Sequence, residues 1–215
     1  MRYLTRYKIY EDKQDDDDID SICRKHGITN YTINSDGTID VDGDVDLYNR
    51  QLVKLPLKFG KVSGSFYCFG NKLTSLEGAP DKVGGHFNCY NNQLTSLKHC
   101  PSEVDGDFNC SENKLVSLEH SPSEIGGRFN CSFNKLTSLE HYPSKVGGHF
   151  TCSYNPIDTI VYPFKNYNNL IELFNDTDIV QGDKVIYDRL TWFYEEIEVF
   201  LPDIKEIEKY YTIVR

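Results

Sequence analysis

The chain has 215 residues, 39% of them apolar, and carries 23 Lys and Arg against 33 Asp and Glu, a formal net charge of −10. That length suffices for one large domain or two small ones. No run approaches the ~18–20 consecutive apolar residues of a membrane span, and the acidic surplus opposes binding to a phosphate backbone. The imbalance is uneven: residues 1–46 are net −6, residues 47–163 net +1 and residues 164–215 net −5. A neutral body between two acidic ends is expected to resist end-to-end stacking; the alternative is an acidic face that imitates nucleic acid or docks a basic partner.

At the start, Met1 to Lys8 lacks an apolar core followed by small residues, so no cleaved signal peptide is expected. Asp18 or Asp20 is placed to cap a short helix through His26, with Gly27 as its stop and Asp15 to Asp18 favouring its positive end. Tyr31 to Val41 then alternates around Asp36-Gly37, which predicts a β-hairpin. Residues 1–40 therefore read as an N-terminal cap of helix plus hairpin.

Residues 41–163 are organised by a period of 21. Cys68, Cys89, Cys110, Cys131 and Cys152 keep that spacing, with Phe66, Phe87, Phe108, Phe129 and Phe150 two positions before and Asn71, Asn92, Asn113, Asn134 and Asn155 three after. Leu or Ile follows twice in each unit, then Pro80, Pro101, Pro122 or Pro143, then Val83, Val104, Ile125 or Val146, and Gly85, Gly106, Gly127 or Gly148. Subtracting one period exposes a degenerate first unit with Val41, Val45, Leu47, Leu52 and Leu55, in which Arg50 replaces the Asn and Phe59 the Pro. The F-x-C-x-x-N-x-L core matches the leucine-rich repeat pattern L-x-L-x-x-N-x-L, Phe and Cys taking the two inward strand positions. Alternation predicts a short strand through His86-Phe-Asn-Cys and its equivalents. The Asn is suited to bond backbone groups of adjoining turns, and Gly and Pro mark corners. A 21-residue unit is too short for a full helix on the other side, where extended or 3₁₀ structure is expected.

In residues 164–215, helical spacing runs from Asn166 to Phe174 and from Asp183 to about Val199, where Ile186, Leu190, Phe193 and Ile197 form one stripe fit to seal the last rung. Pro202 ends that segment and Tyr210 to Val214 reads as a final strand. The expected fold is a repeat solenoid: short 21-residue leucine-rich repeats with a parallel β-sheet on one face, an N-terminal helix–hairpin cap and a C-terminal helical cap, together one domain.

The L-T-S-L-x-x-x-P-x-x-V segments at Leu73, Leu94 and Leu136 resemble the short repeats of leucine-rich secreted effectors from bacterial pathogens. A closer resemblance is to leucine-rich-repeat proteins of tailed phages and other large viruses. It is carried by Asp20 to Asn34, the Val-Asp-Gly-Asp-Val run from Val41, and the S-L-E-x-x-P-x-x-V-G-G repeats. The likeness covers most of the chain. It implies the fold and a phage-encoded protein acting in a host cytoplasm, and it implies no activity. Effectors with similar repeats carry a ubiquitin-ligase domain with a catalytic Cys, but residues 164–215 contain no Cys.

The sequence offers little chemistry. The periodic Cys fall at an inward strand position and behave as small buried hydrophobes, and C-x₂₀-C lacks the paired spacing of zinc sites. His99, His120 and His141 share one turn position, but no carboxylate pattern accompanies all three. No nucleophile–base pairing, phosphate loop or H-E-x-x-H is present. No enzyme, cofactor or metal is expected. What remains is the outward strand face: His86, Asp107, Arg128 and His149 before Phe; Tyr67, Asn88, Asn109 and Asn130 between Phe and Cys; Phe69 and Tyr90 after Cys; then Glu112, Phe133 and Tyr154. Exposed aromatics at Tyr67, Phe69, Tyr90, Phe133 and Tyr154 are the expected anchors for a protein partner. The expected function is a non-catalytic protein-binding module that engages or inhibits a host or defence protein, with no nucleic-acid or membrane partner. A small-molecule or nucleotide sponge and a structural virion component are the alternatives.

Overall fold

In a computed structural model, described for residues 18–162 and 168–215, the period of 21 becomes a β-solenoid of about five turns, each contributing one short strand to each of two parallel sheets. Helix α1 (Ile19–His26) opens it. Asp18 caps the helix by accepting the Ser21 N–H at 2.7 Å, and Gly27 closes it at φ +71°, a left-handed stop that residues with a Cβ disfavour. The Asp15 to Asp17 charges lie outside the described residues. Strands β1 (Tyr31–Ile33) and β2 (Ile39–Val41) pair antiparallel, and Asp36 accepts the Thr38 N–H across the turn at 3.0 Å.

The repeats follow as β3 (Val45–Asp46), β4 (Phe59–Val62), β5 (Phe66–Tyr67), β6 (Lys82–Val83), β7 (Phe87–Asn88), β8 (Glu103–Val104), β9 (Phe108–Asn109), β10 (Glu124–Ile125), β11 (Phe129–Asn130), β12 (Lys145–Val146) and β13 (Phe150–Thr151). Odd strands from β3 to β13 build a six-stranded sheet, the one expected from the Phe-x-Cys pattern. Even strands continue the hairpin into a seven-stranded sheet in the order β1-β2-β4-β6-β8-β10-β12, so the solenoid has a parallel sheet on a second side as well. The third side, Leu73 to Pro80 and its equivalents, is bends and turns without 3₁₀ helix.

Because each repeat strand from β5 onward pairs with residues 21 positions away, identical side chains stack. Phe66, Phe87, Phe108, Phe129 and Phe150 form one column, fully buried, with successive ring centroids 5.4–5.6 Å apart. Cys68 to Cys152 and the paired Leu columns lie in the same continuous core, where burial rather than chemistry accounts for the thiols. Desolvation holds Cys68 up to about 12 and likewise raises Cys89, Cys110 and Cys131 above the usual thiol range. The first, degenerate turn packs largely as its register predicts: Val41, Val45, Leu47 and Leu55 are buried, Leu52 is only half-buried, and Phe59 sits edge-on to Phe66 at 5.0 Å. At the corner between the sheets a Cβ on Gly106 would fall 2.8 Å from the Gly85 carbonyl carbon and oxygen of the turn below. Only glycine fits that approach, and the same column holds Gly64, Gly85, Gly127 and Gly148.

The C-terminal cap is mixed rather than helical. It comprises α2 (Asp158–Val161), α3 (Asn168–Asp176), β14 (Val180–Gln181), β15 (Lys184–Ile186), α4 (Tyr187–Glu196), α5 (Ile204–Ile207) and β16 (Thr212–Val214). The expected helix from Asp183 begins only at Tyr187. Gly182 at φ +63° turns the chain, so Lys184–Ile186 pairs with β14 and β16 instead. Leu190 and Phe193 of the expected stripe are fully buried, whereas Ile186 and Ile197 are half-buried. The helix expected from Asn166 is described from Asn168, its first two residues lying outside the described set. The Tyr194 hydroxyl donates to the Ile160 carbonyl, Tyr211 donates to the Thr137 carbonyl at 2.8 Å, and the Asn175 amide donates to the Leu139 carbonyl at 3.0 Å. These bonds pin the cap to the last turns. Among the described residues no helix is long and apolar enough to cross a membrane.

Candidate functional site

The candidate face is the outer side of the six-stranded sheet, and hydrogen bonding divides its columns sharply. The column before Phe is a backbone zipper. Asp44 accepts the Ser65 N–H at 2.6 Å, Ser65 accepts the His86 N–H at 3.0 Å, His86 Nδ1 accepts the Asp107 N–H at 2.8 Å, and Asp107 accepts the Arg128 N–H at 2.7 Å. Each side chain satisfies an amide one turn further on, which explains why the column uses acceptors. His86 and Asp107, expected to be available to a partner, therefore have a structural task. Arg128, which has no acceptor, ends the series, and His149 follows it, exposed.

The next column is similar. Asn88, Asn109 and Asn130 are half-buried and accept the N–H two residues on, from Tyr90 at 3.2 Å, Ser111 at 3.1 Å and Ser132 at 3.0 Å. These are Asx turns, and they hold the strand end in place. Behind them a buried asparagine ladder joins adjacent turns: Asn92, for example, donates to the Cys68 and Cys89 carbonyls and accepts the Leu73 N–H at 3.0 Å.

The aromatic columns remain. Tyr67, Phe69 and Tyr90, expected to be exposed, are half-buried because they cover one another. Phe69 stacks on Tyr90 with centroids 5.0 Å apart, meets Tyr67 edge-on at 6.3 Å, and stacks at 5.0 Å on Tyr48. Tyr48 was missed in the sequence, although it stands one period before Phe69. Ser111, Ser132 and Ser153 continue that column beyond Tyr90. The aromatic character then moves to the neighbouring column, where Phe133 and Tyr154 stack at 4.1 Å with 49% and 70% of their surfaces exposed.

That neighbouring column has an unusual backbone. Asn49, Gly70, Asn91, Glu112, Phe133 and Tyr154 all have φ between +52° and +66°. Gly and Asn suit the left-handed region, whereas an aromatic side chain there costs about 1 kcal/mol. The first three turns follow the local rule, and Glu112, Phe133 and Tyr154 break it.

The three-histidine column is a turn position. His99, His120 and His141 are exposed at φ +64° to +69°, and His120 and His141 lie 3.6–3.7 Å from Glu119 and Glu140. Among the described residues no group of three or more His, Cys, Asp or Glu is placed to hold a metal ion. No family model, curated protein or solved structure matches this chain.

Proposed function

We propose that the protein is a non-catalytic binding module whose docking face is the aromatic ridge on the six-stranded sheet. The reading rests on one observation: Phe133 and Tyr154 occupy left-handed positions where Asn or Gly would be less strained, and both remain largely exposed. Strained side chains that stay exposed instead of filling the core point to a contact outside the fold. The stacked Tyr48, Phe69 and Tyr90 extend the ridge along the early turns, giving rigid aromatic surface at low cost in side-chain entropy. The repeats' resemblance to those of phage leucine-rich-repeat proteins favours a host or defence protein as the partner, met in the host cytoplasm.

Two double variants test this, Phe133→Asn/Tyr154→Asn and Phe69→Ser/Tyr90→Ser, with immobilised protein and host lysate. The first variant keeps its stability within about 1 kcal/mol of the parent, because relief of two left-handed aromatics offsets a lost stack of about 0.5–1.5 kcal/mol. It loses a stoichiometric partner that the parent retains. No stoichiometric partner for the parent, or capture by both variants equal to the parent's, refutes the reading.

A further inference from the structure

The ridge continues past the last repeat. Tyr154 also forms one wall of an open pocket of about 470 Å³ between the final turn and the C-terminal cap. Its other aromatic walls are Tyr162, 67% exposed, and Tyr210, 50% exposed, with Pro202 beside them. Asp158, Asp203 and Glu206 are the charged residues of the lining, which among the described residues contains no Lys, Arg or His. The carboxylates are held in position: Asp158 accepts the Tyr154 N–H at 3.3 Å, Asp203 caps α5 by accepting the Lys205 N–H at 2.9 Å, and Glu206 pairs with Lys209.

Three ligand classes can be compared on this chemistry. An anion meets three carboxylates, and the cation beside them among the described residues, Lys209, is already paired with Glu206. An apolar anchor would strip water from those carboxylates without replacing it, a cost of several kcal/mol per buried charge. A cation gains from both components, since tyrosine faces attract positive charge and the carboxylates pair with it. Guanidinium suits the combination best, being planar enough to lie on a ring while donating in a fork to a carboxylate, and less strongly hydrated than ammonium. The surrounding segment, residues 164–215 at net −5, adds a field of the same sign.

We infer that this pocket takes an arginine side chain from a basic segment of the partner protein. The inference rests on the protein-binding reading above, because the pocket shares Tyr154 with the ridge.

The test uses the full chain with ring-¹³C-labelled tyrosine and three otherwise identical peptides carrying Arg, Lys or citrulline at two positions. The Arg peptide shifts the Tyr154, Tyr162 and Tyr210 resonances saturably, citrulline leaves them in place, and Lys binds more weakly than Arg. Asp203→Asn/Glu206→Gln weakens the Arg peptide about tenfold, the scale of losing two exposed charge contacts. Asn still caps α5, so this variant keeps its fold, and Tyr210→Ala provides a second loss that leaves the carboxylates in place. Equal shifts with citrulline, Lys binding as tight as Arg, or no saturable shift overturns the inference. If peptide shifts are absent while the parent still captures a partner that the ridge variants lose, only the arginine site fails. If peptide shifts are present but no stoichiometric partner exists, the docking reading fails instead.

Discussion

Replacing Asn113 by Ala tests the asparagine ladder at its middle. Asn113 is 9% exposed. Its Nδ2 donates to the Cys89, Cys110 and Ser111 carbonyls, each at 3.1 Å, and its Oδ1 accepts the Leu94 N–H at 3.0 Å. The carbonyls survive the loss: Cys89 keeps Asn92, Cys110 keeps Asn134, and Ser111 keeps the Asn91 N–H. The Leu94 N–H has no such reserve and is left unpaired in the core, at about 1–3 kcal/mol. With the lost donor bonds and the small void, Asn113→Ala costs about 2–4 kcal/mol. Asn109→Ala, which frees an Asx turn near solvent, costs about 1 kcal/mol or less. Asn113→Asp separates the two halves of the side chain. It keeps the acceptor for Leu94 but turns a carboxylate toward three carbonyls, which raises its pKa in the fold. That variant is weakest at neutral pH and regains stability as pH falls, because the folded state then binds the proton more tightly than the unfolded one. Urea denaturation by circular dichroism, with amide exchange at Leu94, measures all three. Asn113→Ala within 0.5 kcal/mol of the parent, or no weaker than Asn109→Ala, refutes the ladder's role.

Three further outcomes follow from burial. Native protein at pH 8 reacts slowly with a thiol-specific disulfide reagent, since thiols held near 12, such as Cys68 and Cys100, are only about one part in ten thousand thiolate. Half-buried Cys100 reacts first and all seven react in urea; fast labelling of two or more native thiols contradicts the packing. His26 is buried with no hydrogen-bond partner for its Nδ1 among the described residues, and desolvation, with Arg50 and Lys25 nearby, lowers its pKa from 6.5. The unfolded chain therefore takes up a proton first, so stability of the N-terminal cap is full above about pH 6.5 and declines as pH falls below it. His26→Leu removes that decline, and an unchanged pH profile in the variant argues against it. Tyr211→Phe deletes the bond to the Thr137 carbonyl, costs about 1–2 kcal/mol, and speeds amide exchange in Thr212–Val214 while leaving the Phe87 amide unaffected. Equal acceleration at both places argues against a local pin.

The 21-residue spacing of Phe66, Cys68, Asn71, Leu73 and Leu76 carried the solenoid, its register and most of its core, because a stack of identical turns repeats one set of contacts. Asp18, Gly27 and Asp36-Gly37 likewise specified the first cap through local backbone chemistry. The second parallel sheet was illegible: Lys82-Val83 and its equivalents are two residues long, too short for alternation, and become strands only by bonding to the turn beside them. The same is true of the candidate face. Columns of His, Asp and Asn look like free surface in sequence, and only the contact with the next turn reveals the amides they satisfy. Ile186 headed an i, i+4 pattern, yet a glycine turn and pairing to Thr212–Val214 made Lys184–Ile186 a strand. Tyr154, Tyr162 and Tyr210 converge because the cap folds back on the last rung. Periodicity and caps are properties of the chain alone, whereas ladders between turns and pockets between a repeat and its cap exist only once distant segments meet.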